Sequence, residues 1–209
     1  MKKVIIAFVL TLCTFSAFAQ EHIQFNGATF GVNKETFLSN INKSFDNNHT
    51  LYVRHTYKDI YNRYFSDLGK VNTYNACYYI HSSLKTDMVF EVIAWFHVSN
   101  LKEEFMLYVK GLETKYGGHI EEDAENLGTI TTRKYDHDKS GEYREMMALK
   151  YIIRSKTTNK PIGEVRISAA PQHSPTYDGD SGYIELTYRD FAAADAAMNE
   201  YERTLNSIL

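Results

Sequence analysis

The stretch MVFEVIAWFHVSN, residues 88–100, decides how the rest of the chain is read. Its even positions, Met88, Phe90, Val92, Ala94, Phe96 and Val98, are all apolar, and Val89, Glu91, Ile93, Trp95 and His97 stand between them. Successive side chains of a β-strand point to opposite faces, so the pattern describes a strand with one greasy face and one mixed face. Upstream, Tyr74, Ala76, Tyr78 and Ile80 repeat the alternation, and a turn near 82–86 folds the two segments into an antiparallel hairpin. The register this reading implies sets Cys77 opposite Glu91.

The same parity returns later in the chain. Met147, Leu149, Tyr151 and Ile153 match Val165, Ile167 and Ala169, and then Ile184, Leu186 and Tyr188. Three other segments carry apolar residues at helical spacing. Asn33 caps the first, with Phe37, Leu38, Ile41 and Phe45 as its stripe and Val32 placed to staple against Phe37. In the second, Asn100 and Glu103 make a capping-box pattern, Leu101, Phe105, Val109, Leu112 and Tyr116 line one face, and Gly117-Gly118 ends the helix. The third follows Asp190, with Phe191, Ala194, Met198, Tyr201, Leu205 and Ile208 as its stripe. Consecutive hairpins with one apolar face imply an α+β fold, an antiparallel sheet with about three amphipathic helices packed on that face. FGVN at 30–33 and FHVS at 96–99 each lead into a helix followed by strands, and LTYRD at 186–190 leads into the last helix. This suggests two helix-plus-strands pseudo-repeats, about 30–97 and 98–209.

The start of the chain has a different character. MKKVIIAFVLTLCTFSAFA, residues 1–19, joins two lysines to an apolar run and ends in Ala17-Phe18-Ala19, the form of a secretory signal peptide with an A-x-A cleavage site. The run from Val4 to Phe15 falls short of the roughly 20 residues a membrane-spanning helix needs. Leu12, bulky before Cys13, argues against a lipid-modified cysteine. The expectation is a single exported domain over 20–209, soluble, with no membrane span, in the periplasm or outside the cell. Loss of Lys2 and Lys3 moves the formal charge from −3 to −5, and no Lys/Arg cluster supplies the footprint of a nucleic-acid binder. Cys77 is then the one remaining cysteine, so the fold holds by packing rather than by a disulfide. A chain of this size buries about 70% of its unfolded surface, enough for one core.

FNGATFGV at 25–32, LETKYGG at 112–118 and IELTYRD at 184–190 are similar to segments of a group of uncharacterised exported proteins of Bacteroidetes. The resemblance spans most of the mature chain. It implies export and a sheet-and-helix arrangement like that of the β-lactamase inhibitor proteins, and it brings no catalytic residues with it.

Motifs that resemble reactive sites fail on their chemistry. Asp136, Asp138, Ser140 and Gly141 have the spacing of a calcium loop, but the last ligand position falls on Met147 where a bidentate glutamate is required, and the flanks read as strands. A turn is the better reading. GDSG at 179–182 lacks the following glycine and the histidine motif of trypsin-like proteases. Cys77 and His81, on one side of a strand, are about 13 Å apart along it, too far for one to activate the other. The eight histidines show no metal-ligand spacing, and the acidic run EEDAE at 121–125 is a solvated loop.

What remains is the mixed face of the first hairpin, where Tyr79, His81, Glu91, Trp95 and His97 form the candidate binding set. Aromatic side chains with polar tips suit a protein partner or a glycan. The leading expectation is a non-enzymatic exported binding protein without a cofactor or metal. One alternative is a hydrolase whose site assembles only in the fold, and another is a structural protein stabilised by calcium at the Asp136 and Asp178 loops. Intact-mass measurement on native material is expected to show a chain beginning at Gln20, and a retained Met1 contradicts the export reading.

Overall fold

The computed structural model describes residues 21–45, 50–58, 60–118, 133–136, 143–171 and 181–207. Residues 1–19, the acidic run, Asp138, Asp178 and Ile208 lie outside the described residues, as does the 172–180 part of the loop that carries Asp178. A short hairpin, β1 (Gln24–Phe25) and β2 (Ala28–Thr29), precedes helix α1 (Lys34–Ser44). The strands β3 (Arg54–Lys58), β4 (Asn62–Val71), β5 (Tyr74–Ser82) and β6 (Val89–Val98) follow, and then α2 (Leu101–Tyr116). A second run of strands, β7 (Arg133–Asp136), β8 (Tyr143–Arg154), β9 (Pro161–Pro171) and β10 (Gly182–Asp190), leads into α3 (Phe191–Asn206). The sheet order is β3-β4-β5-β6-β10-β9-β8-β7, all neighbours antiparallel. Each four-strand run is a meander, and the two meet where β10 lies against β6. One main core draws on both runs, including Tyr78 and Val92 from the first and Tyr151 and Ile184 from the second.

The alternation read from the sequence sets the second meander. Leu149 stands opposite Ile167 and Tyr151 opposite Val165, and Ile184, Leu186 and Tyr188 stand opposite Ala169, Ile167 and Val165 in turn. The first hairpin departs from the expected register. Cys77 pairs with Trp95, and His81, not Cys77, is opposite Glu91. The turn takes residues further along the chain than 82–86 allows, with Asp87 in the left-handed region at φ 53° and Ser83 N–H donating to the Met88 carbonyl.

A second departure has more consequence. The register steps from His81 opposite Glu91 to Ser82 opposite Val89, so Phe90 is an extra residue in β6. Such a bulge breaks the odd-even rule at one point. Val89 therefore takes the place in the main core that strict alternation gives to Phe90. Phe90 instead shares the side of the sheet that carries His81 and Tyr61, and packs under Ala193, Ala194 and Ala197 of α3. The helices thus divide: α1 and α2 join the main core through Phe37, Ile41, Phe105 and Val109, whereas α3 builds a separate small cluster. Its buried stripe consists of alanines, which let the helix approach the Phe90 ring, and Met198 and Leu205 of the expected stripe are 47% and 43% exposed.

The helix ends follow the sequence. Asn33 Oδ1 accepts from Thr36 N–H at 2.9 Å, Asn100 Oδ1 accepts from Glu103 N–H at 3.3 Å, and Gly117 ends α2 at φ 85°, a conformation that favours glycine. Asp190 does more than cap α3. Its carboxylate, 0% exposed, accepts from Ala193 N–H at 2.8 Å, Ile23 N–H at 2.8 Å and His22 Nδ1–H at 2.9 Å. One side chain therefore joins the start of the described chain to the junction of β10 and α3. Asp190→Ala removes a cap worth about 1–2 kcal/mol and strands a buried backbone donor worth about 1–3 kcal/mol. Chemical denaturation is expected to show a loss of about 3 kcal/mol, with Asp190→Asn costing less because its amide oxygen still accepts.

Candidate functional site

The side of the sheet turned away from the main core carries the candidate set. Cross-strand pairing places Phe65, Tyr79, Ile93 and Thr187 in one row across β4, β5, β6 and β10, and Cys77, Trp95 and Glu185 in the next. Tyr79 and Trp95 are 36% and 38% exposed, and His97 is exposed. Trp95 stacks face to face on Tyr183, with centroids 4.4 Å apart and planes within 6°. His97 meets the edge of the same Tyr183 ring at 5.1 Å, and Tyr79 lies 5.1 Å from Phe65, which has the Arg54 guanidinium at 5.7 Å. Trp95 and Tyr183 are diagonal neighbours on β6 and β10, the spacing at which large rings meet across a pleat.

The structure separates the five candidate residues into two groups. Tyr79, Trp95 and His97 reach solvent. His81 is 4% exposed and belongs to a polar chain beneath the surface. Its Nδ1–H donates to Glu91 Oε1 at 2.6 Å, its Nε2 accepts from Arg63 Nε–H at 3.1 Å, and Arg63 also donates to the Tyr61 hydroxyl at 2.9 Å. Glu91 stands half-buried beside it, so these two support the surface from below. Tyr183 and Phe65, both half-buried, complete the patch and were missed in the sequence. The alternation in YIELTYRD puts Tyr183 on this side, a signal that was available. Phe65 lies in β4, whose core-facing positions include Asn62, Ser66 and Gly69 and show no apolar period.

Glu185 is the other charged group set among these aromatics. Burial pushes its carboxyl up and the Glu91 carboxylate adds to the rise, against the opposing pull of the Thr187 hydroxyl and Arg166. Further along the face, Lys150 and Glu164 pair at 2.6 Å. Burial also pushes the Cys77 thiol up, with the Asp67 charge acting in the same sense, so the thiolate needed for nucleophilic chemistry is disfavoured.

On the helix side a cleft of about 380 Å³ opens between α2, the β1–β2 turn and the turn after β4. Gly111 lies at its rim. A glycine inside a helix costs about 1 kcal/mol relative to alanine, and a Cβ built here meets nothing within 4 Å. Neither histidine–carboxylate pair, His81–Glu91 or His22–Asp190, lines this cleft. Both ring nitrogens of His81 are already engaged within the fold. Among the described residues, no group of three or more His, Cys, Asp or Glu is placed to hold a metal ion, and no helix is long and apolar enough to cross a membrane. Comparison with family models, with curated proteins and with solved structures finds no match for this chain.

Because the folded Glu185 carboxyl binds its proton at higher pH than in the unfolded chain, it lowers stability as pH rises above the ordinary value of 4.5. Glu185→Gln is expected to raise the melting temperature at pH 7 and to flatten its decline between pH 5 and 7. An equal or lower melting temperature at pH 7 contradicts this account.

Proposed function

We propose that the chain is an exported, non-enzymatic binding protein whose contact surface is the open sheet face around Trp95. The observation that carries this reading is the exposure of Tyr79, Trp95 and His97 in one patch with Tyr183 and Phe65. Large aromatic side chains left open to water are costly to solubility and are enriched where a partner covers them. The leader-like residues 1–19 and the resemblance to exported proteins support the location.

A protein partner is favoured over a glycan by the ring geometry. Trp95 and Tyr183 use one face each on the other, so they stand as a paired ridge rather than as a flat platform for a sugar ring. A ridge of this kind fits a groove between side chains, and the buried Glu91–His81–Arg63 chain fixes the strands that carry it. Glu185, half-buried beside Trp95, offers a carboxyl group to a basic group on that partner.

Purified mature protein is expected to recover one stoichiometric protein from its own cell envelope. Trp95→Ala is expected to weaken that complex by at least roughly 30-fold, or about 2 kcal/mol, while leaving the melting temperature nearly unchanged. Recovery unaffected by Trp95→Ala and Tyr183→Ala rules out this surface. Binding on a glycan array that is lost in Trp95→Ala replaces the protein partner with a sugar.

A further inference from the structure

The cleft beside α2 lies on the side of the sheet away from Trp95, and its chemistry is of a different kind. Glu104, the adjacent pair Leu107 and Tyr108, Gly111 and Lys115 follow at spacings of three and four residues, so they form one side of the helix along the length of the cleft. Glu104 and Lys115 are separated by roughly 16 Å along the axis at 1.5 Å per residue. One end is therefore acidic and the other basic. The nearby Glu104 carboxylate pushes the Tyr74 phenol up, so Tyr74 neighbours this end of the cleft. The Lys115 ammonium lies 5.0 Å from the Tyr116 ring and, among the described residues, makes no ion pair.

Between the charged ends the lining combines apolar and amide groups. Leu112, Val71, Leu186 and Phe25 supply the apolar floor, and Asn26 and Asn72 stand on the facing rim. Both asparagines adopt the left-handed conformation, with φ 46° and 52°. Asn72 Nδ2 donates to the Tyr108 hydroxyl at 2.9 Å, which leaves the hydroxyl's own hydrogen free to be donated. Burial pushes this phenol up to about 12, so it remains a donor at any physiological pH. Gly111 keeps the middle of the cleft open.

We propose that this cleft binds a short unblocked peptide of three to four residues with small apolar side chains, its ammonium at Glu104 and its carboxylate at Lys115. An extended chain advances about 3.3 Å per residue, so such a peptide spans the gap once the two side chains reach inward. Amide-bearing rims suit its backbone, and the apolar floor suits its side chains. A fatty acid leaves Glu104 facing methylenes, and a simple amine leaves Lys115 unanswered.

The test is calorimetric titration of the intact mature protein with alanyl-leucyl-alanine, its N-acetyl form and its C-terminal amide. The free tripeptide is expected to bind, and each blocked form to bind at least 10-fold more weakly. In Glu104→Gln the N-acetyl penalty disappears while the amide penalty stays, and in Lys115→Gln the reverse holds. Gly111→Leu is expected to abolish binding of all three without lowering the melting temperature, since the added Cβ meets open space. Absence of binding by the free tripeptide overturns the proposal. So do equal affinities of the free and blocked forms, or binding that survives Gly111→Leu. Because no residue of the Trp95 patch enters these measurements, either result leaves the reading of that patch standing on its own evidence.

Discussion

A strand delivers alternate residues to opposite faces, and this protein interrupts that delivery once, at the extra residue Phe90 of β6. Much of the structure depends on that interruption. Before it, Val89 enters the main core and exchanges backbone hydrogen bonds with Gly31 and Val32, which fixes the chain entering α1. At it, the Phe90 ring turns to the other side and gives the alanines of α3 something to pack on. After it, Glu91 comes opposite His81, and the polar chain to Arg63 and Tyr61 can form. Without the bulge, α3 has no ring to cover and His81 has no carboxylate.

These dependencies explain what could be read from the sequence and what could not. The second meander was legible in which side chains share a face, because Leu149, Tyr151, Val165, Ile167, Ile184 and Leu186 alternate strictly and no described position among them is displaced. The caps at Asn33, Asn100 and Asp190 were legible because capping is a local matter of side-chain length. β4 was not legible, since its core side uses chemistry other than apolar bulk. Asn62 donates to the Ser83 carbonyl, the Tyr64 hydroxyl donates to Asp87, and Gly69 lies flat under the buried ring of Tyr78. The stripe of α3 was misread for a related reason: alanines carry little signal beside methionine and leucine, yet a close helix approach selects small residues. Of the candidate site, Tyr79, Trp95 and His97 followed from alternation alone, whereas the burial of His81 depends on β4 and on Tyr61, which periodicity does not reveal.

A second polar cluster holds the end of the sheet near α1. The Asp87 carboxylate accepts from Ser82, from Tyr64 at 2.8 Å and from Asn62 at 3.3 Å, with the Lys34 ammonium 3.3 Å away. Burial acts to raise the Asp87 carboxyl, but the donors from Ser82 and Tyr64 and the Lys34 charge outweigh it and hold the group below its ordinary value. Glu200 of α3 reaches the same turn, accepting from the Thr86 hydroxyl at 2.7 Å and from Lys85 N–H. The β5–β6 turn is thus gripped from the α1 side through Lys34 and from the α3 side through Glu200. The strands that present Trp95 and Tyr79 are held at that end by charge.

The bond from Ile23 to Asp190 joins residues 167 positions apart. A ribosome releases the first partner long before the second exists, so for most of its synthesis the nascent polypeptide lacks the group that completes its own beginning. Closing so long a loop carries a large entropic cost before any return, which slows the final step and keeps the incomplete chain open.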